Sequence, residues 1–195
     1  MYKFFFKRII DVLVSIFFLL IIIPLFLFVI ILIKIDSKGP IFYCQDRLGI
    51  NGNIFRLFKF RTMSHKIRQN HTQTYEGDPE ITRIGSVLRR LKIDELPQLI
   101  NILLGNMSLV GPRPCLPELL VKFNDDAYSR LKVKPGLTGL AQINGNIYLS
   151  WEERWIYDKK YVENISFLLD LKILCKTFLI VIFGEKKFKK NGSEL

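Results

Sequence analysis

Residues 12–33 run for 22 positions without a charged side chain, and nothing else in the chain limits its possible folds so strongly. At 1.5 Å per residue, a helix of that length crosses the roughly 30 Å hydrocarbon core of a bilayer. A cleaved leader fits less well, because the stretch is too long and no small-residue cleavage site follows it. Two features oppose a plain span. Pro24 lies near the middle, where it removes one helical hydrogen bond and crowds the preceding turn, so a break is expected there. Lys3, Lys7 and Arg8 precede the segment while Lys34, Lys38 and Arg47 follow it, so the cytoplasmic preference of basic residues pulls on both ends. A helix broken at Pro24 that dips into one leaflet and returns satisfies both flanks. A span is the alternative, since proline is tolerated in spanning helices. Residues 1–36 are therefore read as a re-entrant membrane anchor, residues 37–185 as one cytoplasmic domain, and residues 186–195 as a flexible basic tail.

The 195 residues suit one domain and an anchor. The chain carries 29 lysines and arginines against 18 aspartates and glutamates, a formal charge of +11 spread along its length, which calls for an anionic partner. Because of the apolar segment, a phospholipid membrane, phosphorylated lipids and nucleotides explain that charge better than nucleic acid, and no nucleic-acid recognition motif is present. Cys44, Cys115 and Cys175 lie far apart and form neither a disulfide framework nor a zinc pattern.

Past the turn-rich stretch Asp36-Ser37-Lys38-Gly39-Pro40, residues 41–45 and 54–63 alternate as two strands of a small β-hairpin around a turn at 49–53. Residues 65–80 show no apolar period, and their two histidines read as solvated loop residues. Helical patterns follow at 86–91 and from Leu96 to Leu103, with Asp94 as a helix N-cap, Pro97 in the first turn and Gly105 as the stop. Val110-Gly111-Pro112-Arg113-Pro114 and Lys134-Pro135-Gly136-Leu137-Thr138-Gly139 read as stiff loops. Trp151, Trp155, Tyr157 and Tyr161 suit a helix at the membrane interface or a core. Residues 167–183, with Asp170, Lys172 and Lys176 among apolar neighbours, suit a buried or interfacial helix rather than a span. The fold class expected is α+β, mostly helical, with amphipathic helices around a compact core.

Asp94 and Glu95 admit two readings. As a cap and a first-turn acid they need only favour a helix dipole. A helix start also gathers phosphate, however, and a carboxylate placed there meets a bound diphosphate at attacking distance, with its neighbour free to bind metal or move a proton. Arg113 weighs toward the second reading, because flanking prolines stiffen its backbone and hold its fork ready for phosphate. Arg89 and Lys59 add cations able to neutralise a diphosphate, or stand as surface charges. Asp170 lies on an apolar helix face and needs a partner: a salt bridge to an arginine of the core, or a contact to metal or substrate.

Lys7-Arg8-Ile9-Ile10-Asp11, Phe58-Lys59-Phe60-Arg61-Thr62-Met63, Asp94-Glu95-Leu96-Pro97-Gln98, Met107-Ser108-Leu109-Val110-Gly111-Pro112-Arg113-Pro114 and Lys134-Pro135-Gly136-Leu137-Thr138-Gly139 occur in that order. Together they resemble the bacterial sugar transferases, and more narrowly the small monotopic phosphoglycosyl transferases. The resemblance implies a re-entrant helix at the inner membrane with the catalytic domain on its cytoplasmic face, and Mg2+ held by Asp94 and Glu95. It implies transfer of a phospho-sugar from a UDP-sugar to polyprenyl (undecaprenyl) phosphate, with release of UMP and an intermediate held covalently on Asp94. Glu95 would assist, Arg113 and Arg89 would bind phosphate, Lys59 would support the carboxylates, and Asp170 would be a further acid. Downstream glycosyltransferases would be partners. The chain departs from the family's habit at Ile23-Pro24, where serine often precedes the proline, and at Asn146, where an arginine often follows Asn144-Gly145.

Overall fold

A computed structural model describes residues 2–64 and 78–184. The expected tail at 186–195, and the two histidines with most of the expected loop at 65–80, lie outside the described residues. The first helix, α1 (Lys7–Asp36), is 30 residues long and contains Pro24. It continues through the proline, so the expected break is not an interruption of the helix. Proline lacks only its own N–H, and turns on either side can keep their hydrogen bonds.

Both ends of α1 are tied to the rest of the molecule. Near its start, the Asp11 carboxylate accepts from the Leu109 N–H at 3.0 Å and the Arg8 guanidinium donates to the Leu103 carbonyl at 2.9 Å. Near its end, Val29 and Ile33 pack with Phe60 and Leu88, and the Asp36 carboxylate accepts from the Ile84 N–H at 3.1 Å. Phe17, Phe18, Leu20, Ile21 and Ile23, between those ties, are exposed.

Strands β1 (Phe42–Leu48) and β2 (Ile54–Phe60) pair antiparallel from Phe42 opposite Phe60 to Leu48 opposite Ile54. The tight turn between them requires left-handed backbone at Asn51 (φ 56°) and Gly52 (φ 78°), conformations that asparagine and glycine tolerate. The Phe60 ring stacks on Phe42 at 5.5 Å and meets Phe26 of α1 edge-on at 4.9 Å, which fixes the hairpin against α1.

Helix α2 (Arg83–Arg90) is capped by the Thr82 hydroxyl, and α3 (Gln98–Leu103) ends at Gly105, whose φ is 86°. Of the two segments read as loops from sequence, 134–139 contains a strand, and 110–114 begins at the last residue of another. β3 (Ser108–Val110) and β4 (Gly136–Thr138) form a parallel ladder, Ser108 opposite Gly136 and Val110 opposite Thr138. Three-residue strands are too short to show an alternating pattern. The close approach depends on glycine, since a Cβ on Gly136 would sit 2.0 Å from the Gly111 nitrogen.

After α4 (Asp125–Ser129) and α5 (Leu140–Ile143), α6 (Trp151–Glu163) starts with a reciprocal Ser150/Glu153 cap. Its Trp155 and Tyr161 are buried, so those two aromatics belong to the core. The last helix, α7 (Phe167–Phe183), buries Asp170 and Ile173 and exposes Phe167, Leu168, Leu171, Phe178 and Leu179. With its carboxylate inside and its large apolar side chains outside, α7 presents an apolar face at the surface. The fold is thus mostly helical, with a small antiparallel hairpin and one long apolar N-terminal helix.

Candidate active site

Asp94 and Glu95 lie in a 3₁₀ turn, Ile93–Glu95, entered through left-handed Lys92 (φ 58°). Asp94 is therefore not the expected N-cap of the next helix: α3 begins after Pro97 and has no side-chain cap. Because Pro97 has no N–H to offer a capping carboxylate, Asp94 is released from that role and the chain tightens into a single turn.

Two cations converge on Glu95. The Lys59 ammonium donates to its Oε1 at 2.7 Å, and the Arg113 guanidinium donates to Oε1 at 2.6 Å and to Oε2 at 3.4 Å. Burial alone would raise the Glu95 carboxyl; Arg113 and Lys59 outweigh it and hold the group well below the usual carboxylate range. The Lys59 ammonium is pushed down by burial and supported by Glu95. Asp94 moves the other way. It is 8% exposed, and among the described residues no group donates a hydrogen bond to its carboxylate. Burial raises it, the Glu95 charge adds to the rise, and Lys59, Arg89 and Lys92 oppose it. Adjacent carboxylates whose affinities for a proton are driven apart can take different chemical roles.

The other expected site residues divide. Arg89 places its charge where it acts on Asp94 while its Nε donates to the Thr62 hydroxyl at 2.8 Å. The Arg113 backbone is fixed further by Arg130, which donates to its carbonyl at 2.5 Å. Asp170 pairs with neither an arginine nor the Asp94-Glu95 turn. Its carboxylate accepts from Lys7 and Tyr2, each at 2.6 Å, and from the Tyr161 hydroxyl at 2.8 Å, so it clamps the N-terminal segment onto α6 and α7.

Beside the carboxylate pair is a cavity of about 100 Å³ lined by Arg47, Arg113, Arg130, Arg154 and Asp158, with Asn146 also on its wall. Sequence reasoning missed it, because its cations come from four separate segments with no shared spacing. Asp158 is pushed up to about 6 by burial, although Arg130 and Arg154 oppose the rise.

Among the described residues there is no cluster of three or more histidine, cysteine, aspartate or glutamate side chains. Two adjacent carboxylates, one without a hydrogen-bond donor and the other with Oε2 only distantly contacted, nonetheless fit Mg2+, which uses one or two protein carboxylates and completes its shell with water and substrate phosphates.

The sequence model for the bacterial sugar transferase family matches residues 2–184. The chain belongs to this family. Among relatives, it is 43% identical to the uncharacterized sugar transferase EpsL of Bacillus subtilis (strain 168), over 92% of this chain and 88% of that protein. It is 42% identical to the undecaprenyl-phosphate glucose phosphotransferase of Komagataeibacter xylinus, over 93% of this chain and 37% of that protein. It is 38% identical to the UDP-glucose:undecaprenyl-phosphate glucose-1-phosphate transferase of Escherichia coli (strain K12), over 91% of this chain and 40% of that protein. As a member of the family, the chain is a sugar transferase, and the Asp94-Glu95 turn lies within the matched region.

Proposed function

We propose that this transferase moves a sugar phosphate from a UDP-sugar to undecaprenyl phosphate at the cytoplasmic face of the inner membrane and releases UMP. The observation that carries the chemistry is the divergence of the two carboxylates: Glu95 is held ionised by Lys59 and Arg113, while Asp94 lacks a donor and is made more basic by burial. A more basic carboxylate is the better nucleophile once ionised.

An Asp94 oxygen attacks the phosphorus that bears the sugar. The bond from that phosphorus to the bridging oxygen breaks, its electron pair leaves with UMP, and the phospho-sugar remains on Asp94. An oxygen of undecaprenyl phosphate then attacks the same phosphorus, Asp94 departs as carboxylate, and the product is a sugar on undecaprenyl diphosphate. Arg113 and Arg89 bind the phosphates, and Lys59 keeps Glu95 in place. Asp94 and Glu95 would hold magnesium, which would supply neutralisation of diphosphate charge. Downstream glycosyltransferases would consume the lipid-linked product.

A re-entrant anchor is supported by how α1 is held. Its 30 residues make a helix of about 45 Å, yet Asp11 near one end and Asp36 at the other both bond to the same domain. A helix crossing the bilayer would carry one of those ends to the far side. The exposed apolar middle around Pro24 and the exposed face of α7 would enter the cytoplasmic leaflet, and basic residues at both ends of α1 favour that side.

The test of the reaction is UMP release by purified protein given undecaprenyl phosphate and a range of UDP-sugars. Release with at least one donor, lost in Asp94→Asn, is expected. No release with any common UDP-sugar, or full activity in Asp94→Asn, overturns the reading.

A further inference from the structure

The arginine cavity holds a set of buried polar atoms that the carboxylate chemistry does not use. Among the described residues, Nε of Arg47, Nη1 of Arg130 and Nε of Arg154 have no hydrogen-bond acceptor, and Oε1 of Gln142 has no donor. These four side chains come from β1, the 3₁₀ turn Arg130–Lys132, α6 and α5, yet all line the same cavity. Each is held from another direction. Nη2 of Arg47 donates to the Gln45 side chain at 2.6 Å, Arg130 lies 3.3 Å from the Asp158 carboxylate, and the Arg154 guanidinium lies 4.7 Å from the centre of the Trp151 ring. The Gln142 amide is oriented by donating to the Leu137 carbonyl at 3.1 Å.

Buried N–H groups without acceptors are uncommon and costly. Four arginines against one carboxylate, Asp158, add like-charge crowding. Burial and the charge of Arg113 lower the proton affinity of both Arg47 and Arg154. An anion with several acceptor oxygens would relieve both costs at once. At about 100 Å³ the cavity is smaller than sites that enclose whole small molecules, so it suits one phosphoryl group of a larger ligand. Arg113 links the two places: it pairs with Glu95 at 2.6 Å and also lines this cavity.

We propose that the cavity seats the phosphoryl group on the nucleoside side of the donor, which leaves as the phosphate of UMP, with Gln142 accepting from a hydroxyl or N–H of the same nucleotide. This rests on the donor reading given above. Arg47, Arg130 and Arg154 hold the leaving group while Asp94 works on the phosphorus next to the sugar, and Arg113 stands between the two phosphoryl groups.

The experiment is calorimetric titration of the full-length protein in detergent with UMP, inorganic phosphate and uridine, for wild type, Arg154→Gln and Arg47→Gln. UMP should bind wild type more tightly than phosphate does. Its affinity should fall about tenfold in either variant, as loss of one charged hydrogen bond implies, while any binding of uridine stays unchanged. In turnover, the KM for the UDP-sugar should rise and that for undecaprenyl phosphate should not. Unchanged UMP affinity in the folded variants overturns the assignment, as does inorganic phosphate binding as tightly as UMP, which marks a free-phosphate site. If Arg154→Gln does not fold, Arg47→Gln carries the same expectation. UMP binding that follows this pattern in a protein releasing no UMP from any UDP-sugar would fault the reaction and leave the binding site standing.

Discussion

The Lys59 ammonium lies 2.7 Å from the Glu95 carboxylate and joins the hairpin to the Asp94-Glu95 turn across 36 residues of sequence. If that contact keeps Glu95 ionised and in place, Lys59→Met removes one of two cations from a buried acid. UMP release should then fall about 100-fold, the scale seen when a preorganised charged donor is deleted, with the hairpin still folded. Circular dichroism and a UMP assay check both parts, and unchanged turnover would make Lys59 a structural residue only.

Asp170 is predicted to hold the N-terminus rather than to touch substrate. Asp170→Asn leaves Lys7, whose side chain is 13% exposed, without its carboxylate. Removing one partner of a buried pair costs about 3–5 kcal/mol. The thermal midpoint should drop clearly and limited proteolysis should open the first residues, while activity per folded molecule changes little. A variant with normal stability and no activity would return Asp170 to the reaction.

Gly85 couples stability to the site. A Cβ there would lie 2.0 Å from the Thr62 carbonyl oxygen, and the Thr62 hydroxyl accepts from Arg89 at 2.8 Å. Gly85→Ala must shift α2 or the Thr62 backbone, so both the unfolding midpoint and UMP release should fall. A neutral result in both assays would mean that α2 moves freely there.

Asp158 gives the pH dependence a sign. Its folded value is raised from 3.8 to about 6, so the folded protein holds that proton more tightly than the unfolded chain. The resulting stability is fully present below about pH 4 and is lost as pH rises through about 6, a difference of about 3 kcal/mol. Asp158→Asn does not titrate. Relative to that variant, wild type should lose stability between pH 4 and 7 in thermal unfolding, and parallel curves would contradict the assignment.

Much of this architecture can be read in the sequence because its signals are local. An uncharged run marks α1, and alternation around Asn51-Gly52 marks the hairpin. The Asp-Glu pair and Arg113 also stand out in sequence, although Arg113 turns out to grip Glu95. What escaped depends on tertiary contacts. β3 and β4 are too short to declare a period, and their pairing rests on the bare backbone of Gly111 and Gly136. Pro97 fits a first helical turn as well as the position just before one, so the sequence placed Asp94 at a cap it does not form. Asp170 was expected to meet either an arginine of the core or a metal or substrate, and its carboxylate meets Lys7, a partner 163 residues away. The arginine cavity draws on segments that only the fold brings together.

The central claim is that Asp94 carries the phospho-sugar, and intact-protein mass spectrometry tests it most directly. Wild type and Asp94→Asn would be mixed with an accepted UDP-sugar and Mg2+ in the absence of undecaprenyl phosphate, then analysed whole and after digestion. A mass gain of one phospho-sugar on the peptide containing Asp94, absent in Asp94→Asn and discharged by added undecaprenyl phosphate, is the predicted result. A wild-type protein that turns over donor and acceptor together but gains no mass with donor alone would contradict it.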